Sequence, residues 1–379
     1  MREPAQELLA RARVRASRHY RLEPSVAPAE AHDDGPSDWA GTLVPTHEGW
    51  HRVQLVSRET AELFAALAEP APLPAGVTGA AGARLVLDGI LELEYDDGFH
   101  SGPETHAVFF ANAAPAPRGA LGRISLDALR CASALALPDP RLISKCLYRY
   151  NTLPNSPAWQ RRFPDSDAIT LLFEKARVTK SAWTSFITTE GGVSWRAWER
   201  PNAPAPLPRA PTYKLYLSPE PAALGAATCA VLGLAGNRCA PFALKAGNNL
   251  PTLLRSEKLV VYFLSRDQLL EAADRLRPAL AGVAAQGVPF TSELFGDGLA
   301  SWGIDPGSEA EPPGPLRQLS WRRWITARLG VAMASAIAAG RGGLAWQYAL
   351  DRVRLDGVNP ETWTAPAWFD TPADTDVDH

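Results

Sequence analysis

Between Pro211 and Phe263 lie three short segments whose alternation restricts them to few structures: Thr212–Ser218, Phe242–Lys245 and Arg255–Phe263. Successive side chains of a strand point to opposite faces. Tyr213, Leu215 and Leu217 therefore share one face, and Lys214, Tyr216 and Ser218 the other. In the third segment Leu259, Val261 and Phe263 go inward, while Lys258 and Tyr262 point the other way. Three adjacent strands of this kind pool lysines, tyrosines and an arginine on one side of a sheet. That face would bind an anion and hold a proton-transfer group.

The chain of 379 residues has room for one large domain or two ordinary ones. Its 46% apolar content supports a core, and a net charge of −3 argues against general nucleic-acid binding. Cys131, Cys146, Cys229 and Cys239 lack metal-ligand spacing and read as buried free thiols. The N-terminus lacks the apolar core of a signal peptide, and the longest weakly polar run, 329–339, is too short to span a bilayer. The expectation is a cytoplasmic protein with no membrane partner.

In chain order, residues 4–20 read as a helix, and 53–68 as a strand running into a helix with Ser57 as N-cap. Residues 84–95 and 106–111 read as strands, the first ending in an Asp96–Asp97–Gly98 hairpin signal. Residues 125–137 read as a helix, whereas 142–150, 167–175 and 182–189 are helix or strand. Helices are expected over 266–277, 320–339 and 346–355, a loop over 308–316 and a disordered acidic tail over 370–379. Segregated strands and helices make the fold class α+β, a mixed or antiparallel sheet with helices packed around it. The expected division is an N-terminal α+β region, 1–145, and a second domain, 146–369.

No histidine occurs between residues 107 and 378, so a Ser-His-Asp centre in the rear two-thirds is disfavoured. Walker, GxGxxG and HExxH motifs are missing too. What remains is the lysine, tyrosine and arginine set. Neighbouring ammonium groups disfavour each other's charge, so one lysine of the pair Lys214 and Lys245 would be neutral enough to act as a base. Arg255 and an arginine of the 322–328 stretch would grip a phosphate. The plainer reading makes each lysine a solvated outer-face residue; Lys258, beside Glu257, is expected at the surface. Trp321 and Trp324 read as core, and at most one of Arg322 and Arg323 faces a given site.

Tyr-Lys-Leu-Tyr-Leu-Ser-Pro (213–219), Phe-Ala-Leu-Lys (242–245), Leu-Arg-Ser-Glu-Lys-Leu-Val-Val-Tyr-Phe (254–263), Ser-Trp-Arg (320–322) and Leu-Asp-Gly-Val-Asn (355–359) together resemble the HopA-type effector family. That family includes phosphoserine/phosphothreonine lyase components of multi-protein lanthipeptide (class V) and thioamitide biosynthesis. The resemblance covers roughly residues 148–363 and implies β-elimination of phosphate from a phosphorylated precursor peptide, giving dehydroalanine or dehydrobutyrine. It also implies a kinase-like partner that installs the phosphate, a cyclase that consumes the product, and no metal or organic cofactor. Carried over residue by residue, Lys214 matches the first lysine, which would stabilise the developing enolate, and Lys245 the base; Arg255, Tyr262 and either Arg322 or Arg328 bind the phosphate. Tyr216 stands where the related phosphothreonine lyases have a histidine acid. The N-terminal region would bind the peptide leader or the kinase, or simply extend the domain. Two other classes stay open: a non-catalytic phosphopeptide-binding adaptor, and an effector-like interaction protein without a phosphate site.

Overall fold

The computed structural model describes residues 8–24, 39–47, 49, 51–110, 115–174, 182–201, 203–204, 211–305 and 320–369. The expected loop over 308–316 and the tail after 369 lie outside these residues. The front of the chain supplies β1 (Arg13–Ala16), β2 (Tyr20–Pro24), β3 (Trp39–Pro45), β4 (Gln54–Ser57), β5 (Ala71–Pro72), β6 (Leu91–Tyr95) and β7 (Gly98–His100). They form two small antiparallel sheets, ordered β5-β1-β6-β7 and β2-β3-β4. The rear supplies β8 (Thr184–Glu190), β9 (Val193–Glu199), β10 (Thr212–Leu217), β11 (Ala243–Gly247), β12 (Leu259–Phe263), β13 (Ser292–Glu293) and β14 (Ala300–Asp305). These make one seven-stranded sheet, β13-β14-β10-β12-β11-β9-β8, in which every pairing is antiparallel. The class is α+β.

The pleat sorts the large sheet as the alternation requires. Leu215 lies opposite Val261, and Val261 opposite Leu244, so the apolar residues of β10, β12 and β11 share one buried face. The helices Leu224–Leu232 and Arg266–Ala279 pack on these strands. On the other face, Lys214 lies opposite Tyr262, Tyr216 opposite Val260, and Val260 opposite Lys245. On that side Trp321 of helix Trp321–Ala338 packs against Gly303 of β14, and Tyr148 of helix Pro140–Arg149 reaches Glu257 just ahead of β12. Trp321 and Trp324 stack 5.6 Å apart, and both are buried, as core residues should be.

One apolar core runs through the front of the chain and the sheet region alike. Helix Ala345–Leu355 ties the two regions together. Its Tyr348 hydroxyl donates to the Leu87 carbonyl, and Arg352 forks onto both oxygens of Asp88.

The front departs from the sequence reading in three places. Residues 13–16 leave the helix and become β1, because Val14 is buried between Ala71 and Leu93 and Arg15 reaches Glu92. Pairing with two strands outweighs the modest helix propensity of those residues. Residues 84–87 close a helix, Gly79–Leu87, capped by the Thr78 hydroxyl, and only Leu91–Tyr95 is extended. His106–Phe109 is a helical turn whose His106 imidazole meets Asp351 at 3.0 Å. The hairpin at Asp96–Gly98 and the Ser57 cap on helix Arg58–Ala66 form where expected. The four cysteines are free thiols, yet only Cys239 is buried; Cys131 is exposed and the others half-buried.

Helices Pro140–Arg149 and Trp321–Ala338 meet closely at Gly330. A Cβ there would stand 2.6 Å from the Pro140 carbonyl oxygen and 3.1 Å from the Ser144 nitrogen. Both obstacles are backbone, so relief requires the helices to separate. Overpacking at Gly330→Ala should cost up to about 3 kcal/mol, of which the roughly 1 kcal/mol that alanine gains over glycine in a helix offsets part. Urea denaturation should therefore show a net loss of up to about 2 kcal/mol.

Candidate active site

Register alone assembles the polar face. Lys214 from β10, Tyr262 from β12 and Lys245 from β11 lie on adjacent strands, all half-buried. The Tyr262 ring separates the two ammonium groups, with Lys214 Nζ 5.4 Å and Lys245 Nζ 5.9 Å from its centroid. The two lysines have different partners. Lys214 pairs with Asp305 at the end of β14. The other oxygen of that carboxylate accepts from the backbone nitrogen of Trp321, 2.9 Å away, at the start of helix Trp321–Ala338. Lys245 instead lies 4.9 Å over the Trp195 indole, and no carboxylate bonds to it among the described residues. Burial, then the nearby Lys214 charge, lowers the Lys245 pKa.

Below this surface sits a buried charge cluster. Glu257, just ahead of β12, accepts from the Tyr148 hydroxyl at 2.6 Å and from Arg322 Nη1 at 2.8 Å. Arg322 also donates to the Pro289 and Tyr148 carbonyls and is 1% exposed. Burial by itself would raise the Glu257 pKa. Arg322, Tyr148 and Arg255 outweigh that and hold it below the ordinary value. Arg255 stands 3.6 Å from Glu257 but remains half-buried, its guanidinium 5.8 Å from the Trp195 ring centroid.

Lys214, Lys245, Tyr262 and Arg255 are thus gathered at one surface. Tyr216 shares the face but is covered at 2% exposure, packed with Val260 and Val288. Burial keeps its phenol protonated far above the usual range. Arg322 underlies the site rather than facing a ligand, since its guanidinium is engaged on three sides. Arg328 belongs elsewhere: it pairs with Asp356 at 3.4 Å and lies 4.4 Å over the Trp324 ring. A helical step of six residues places it on another part of the helix surface from Arg322.

Lys258 corrects a second expectation. It is fully buried, and its amine donates to Gln286 Oε1. The Gln286 amide in turn reaches the Leu254 carbonyl at 3.1 Å. Burial brings the Lys258 pKa down to about 7. Position beside Glu257 in a charged run suggested surface, but both residues turn inward to separate partners.

No known family profile and no curated protein matches the sequence. Among solved structures, an effector protein from Pseudomonas syringae pv. tomato strain DC3000 aligns with a TM-score of 0.42 at 11% identity, over 64% of this chain and 97% of that one. An effector protein from Pseudomonas syringae pv. syringae strain 61 aligns at 0.40 and 11%, over 66% and 100%. A phosphothreonine lyase aligns at 0.26 and 12%, over 47% and 88%. Likenesses this distant leave the chemistry to be read from the residues themselves.

Sequence reasoning missed Asp305, Glu257, Tyr148 and Trp195. A signal existed for Asp305: Trp302 and Ile304 alternate with Ser301, Gly303 and Asp305, which marks β14 and its site-facing side. Nothing local distinguishes Glu257 from a surface carboxylate.

Glu257→Gln should cost about 3–5 kcal/mol, because it strands a buried guanidinium. The folded pKa of Glu257 lies below its unfolded value, so its contribution is complete above roughly pH 4 and fades as pH falls through the folded value. Urea melts should therefore show wild type losing more stability than Glu257→Gln on acidification. Lys258 has the opposite consequence. Its folded pKa of about 7 lies below an unfolded value near 10.4, so the unfolded chain binds more protons between them. Stability should climb with pH across that window. Lys258→Met should be more stable than wild type at pH 7, by on the order of 1–4 kcal/mol, with the gain shrinking toward pH 10.

Proposed function

We propose that this chain is a phosphoserine/phosphothreonine lyase, eliminating phosphate from a phosphorylated ribosomal precursor peptide of the lanthipeptide type. The observation that carries this reading is the unequal setting of two lysines on one face. Lys214 is charge-paired, while Lys245 is desolvated, faces aromatic rings and has a lowered pKa. A β-elimination needs this inequality: a neutral amine to take the Cα proton, and a fixed cation where negative charge develops.

In this reading the Lys245 amine removes the Cα proton. The C–H electron pair becomes the Cα–Cβ double bond as the Cβ–O bond breaks, and phosphate departs with the bonding pair. Lys214 stabilises the enolate-like oxygen of the substrate amide. Arg255 holds the phosphate, and the protonated Tyr262 phenol donates a hydrogen bond to it. Tyr216 is covered at 2% exposure, so the hydrogen bond to the leaving oxygen falls to Tyr262 rather than to it. The leaving phosphate already carries stable negative charge near neutral pH, so a strong acid is not essential. The elimination itself calls on no metal or organic cofactor.

The same reading places the protein in the cytoplasm beside a kinase-like partner that makes the phosphopeptide, with a cyclase consuming the dehydroamino acid. The resemblance of residues 213–219, 242–245 and 254–263 to lyase components supports that context. The N-terminal region, outside the span of that resemblance, would either dock a peptide leader or the kinase or simply extend the domain.

Mass spectrometry of a phosphorylated precursor peptide incubated with the protein tests the reading. Wild type should release phosphoric acid and leave a product that adds a thiol. Lys245→Ala should be slower by roughly 10²–10⁴-fold, the usual contribution of a positioned base. Peptide that binds yet retains its phosphate would favour the adaptor class instead.

A further inference from the structure

Trp195 carries two cations on one indole. Lys245 Nζ is 4.9 Å from its ring centroid, and the Arg255 guanidinium carbon is 5.8 Å away. The residue sits on β9, half-buried, with Gly247 of β11 directly opposite. Lys245 lies opposite Ala197, so Trp195, two residues away on β9, is its diagonal neighbour on the same face of the sheet. Every other cation of the cluster has a carboxylate partner within 4 Å: Lys214 has Asp305, while Arg322 has Glu257. Arg255 shares Glu257 at 3.6 Å and takes its second support from the ring.

We infer that Trp195 is a positioning residue, whose indole aims Lys245 and Arg255 at the substrate while keeping carboxylates away from the base. The inference rests on the lyase reading for its purpose, and on ring geometry for its content.

The physical need is specific. A carboxylate beside Lys245 would orient it but also fix the ammonium form, and would compete with the phosphate for Arg255. An aromatic face attracts a cation through its quadrupole, carries no net charge and excludes water. The base is thereby oriented with a weaker upward pull on its titration than a carboxylate would exert. The other groups acting on Lys245 are Lys214 from β10, Glu257 and Arg255 ahead of β12, and Asp305 from β14. Tyr262 of β12 closes the opposite side with a second ring, 5.9 Å from Nζ. Lys245 thus stands between two aromatic faces, and Trp195 is the one it shares with the phosphate-binding arginine. Removing the indole admits water to one side of the amine. Because burial is the largest influence on Lys245, its pKa should then rise, even though the cation–ring attraction is lost as well.

The titration can be followed without any activity. Lys145, Lys175, Lys180, Lys214, Lys245 and Lys258 are the lysines of the chain, few enough for isotope-labelled reductive methylation and NMR. The Lys245 resonance is assigned by its loss in Lys245→Arg. Trp195→Leu should move the Lys245 midpoint up by about one pH unit, a tenfold drop in neutral amine at fixed pH. Trp195→Phe, which keeps a ring, should move it by less than half as much. In the elimination assay, kcat of the Leu variant should fall about tenfold near neutral pH and recover as pH rises, tracking that same shift. KM should rise as Arg255 loses its support. Where Trp195→Leu does not fold, Trp195→Met preserves much of the volume without the ring and takes its place. An unmoved Lys245 midpoint in a folded Leu or Met variant would overturn the inference. Wild type that never releases phosphate would overturn the lyase reading, and the Lys245 titration would still decide the role of Trp195.

Discussion

Arg322 and Glu257 neutralise each other in the interior, 2.8 Å apart, and the position of the site depends on that pair. Arg322 comes from helix Trp321–Ala338, Glu257 from the approach to β12, and the Tyr148 hydroxyl that completes the carboxylate's shell from helix Pro140–Arg149. One carboxylate thus locks two helices to the sheet. Removing either ion would leave a buried charge without compensation, which is far costlier than losing a surface pair. Because Glu257 has Arg322, the nearby Arg255 can remain half-open with its guanidinium beside Trp195. The cost of desolvating the lower layer is what leaves cations usable in the upper one.

Three lysines around one sheet illustrate how neighbours determine what an amine can do. Lys214 has Asp305, and a fixed carboxylate makes it a standing positive charge. Lys245 has rings and another cation, so its charge is disfavoured. Lys258 is buried at the head of β12 with a neutral amide, Gln286, as its partner. The residue type is constant, and its settings differ by what lies within about 6 Å. The proposed division into base, electrostatic anchor and structural donor follows from those settings.

The alternation of 212–218 and 259–263 made the central strands legible. So was the shared face of Lys214, Tyr216, Lys245 and Tyr262, because a period of two fixes which side chains are neighbours. The capped helix at Ser57 and the long helix from Trp321 were legible for similarly local reasons. What stayed hidden depended on tertiary contact. Val14 becomes a strand residue only because Ala71 and Leu93 flank it. Arg322 and Arg328 look alike in sequence, but the first is claimed by Glu257 and the second by Asp356. Lys258 reads as surface until Gln286, 28 residues later, is brought beneath it.

Glu257 and Arg322 are 65 residues apart, and Arg322 meets the Tyr148 carbonyl across 174. On a ribosome those groups appear one after another. When β10, β11 and β12 have all emerged, Glu257 has Tyr148 and Arg255 for partners but not the buried Arg322 that completes its shell. Hydration should hold that region of the nascent chain open until the arginine arrives, postponing collapse around the most distant contacts. The ion pair that anchors the mature site would then also be among the last of its contacts to form during synthesis.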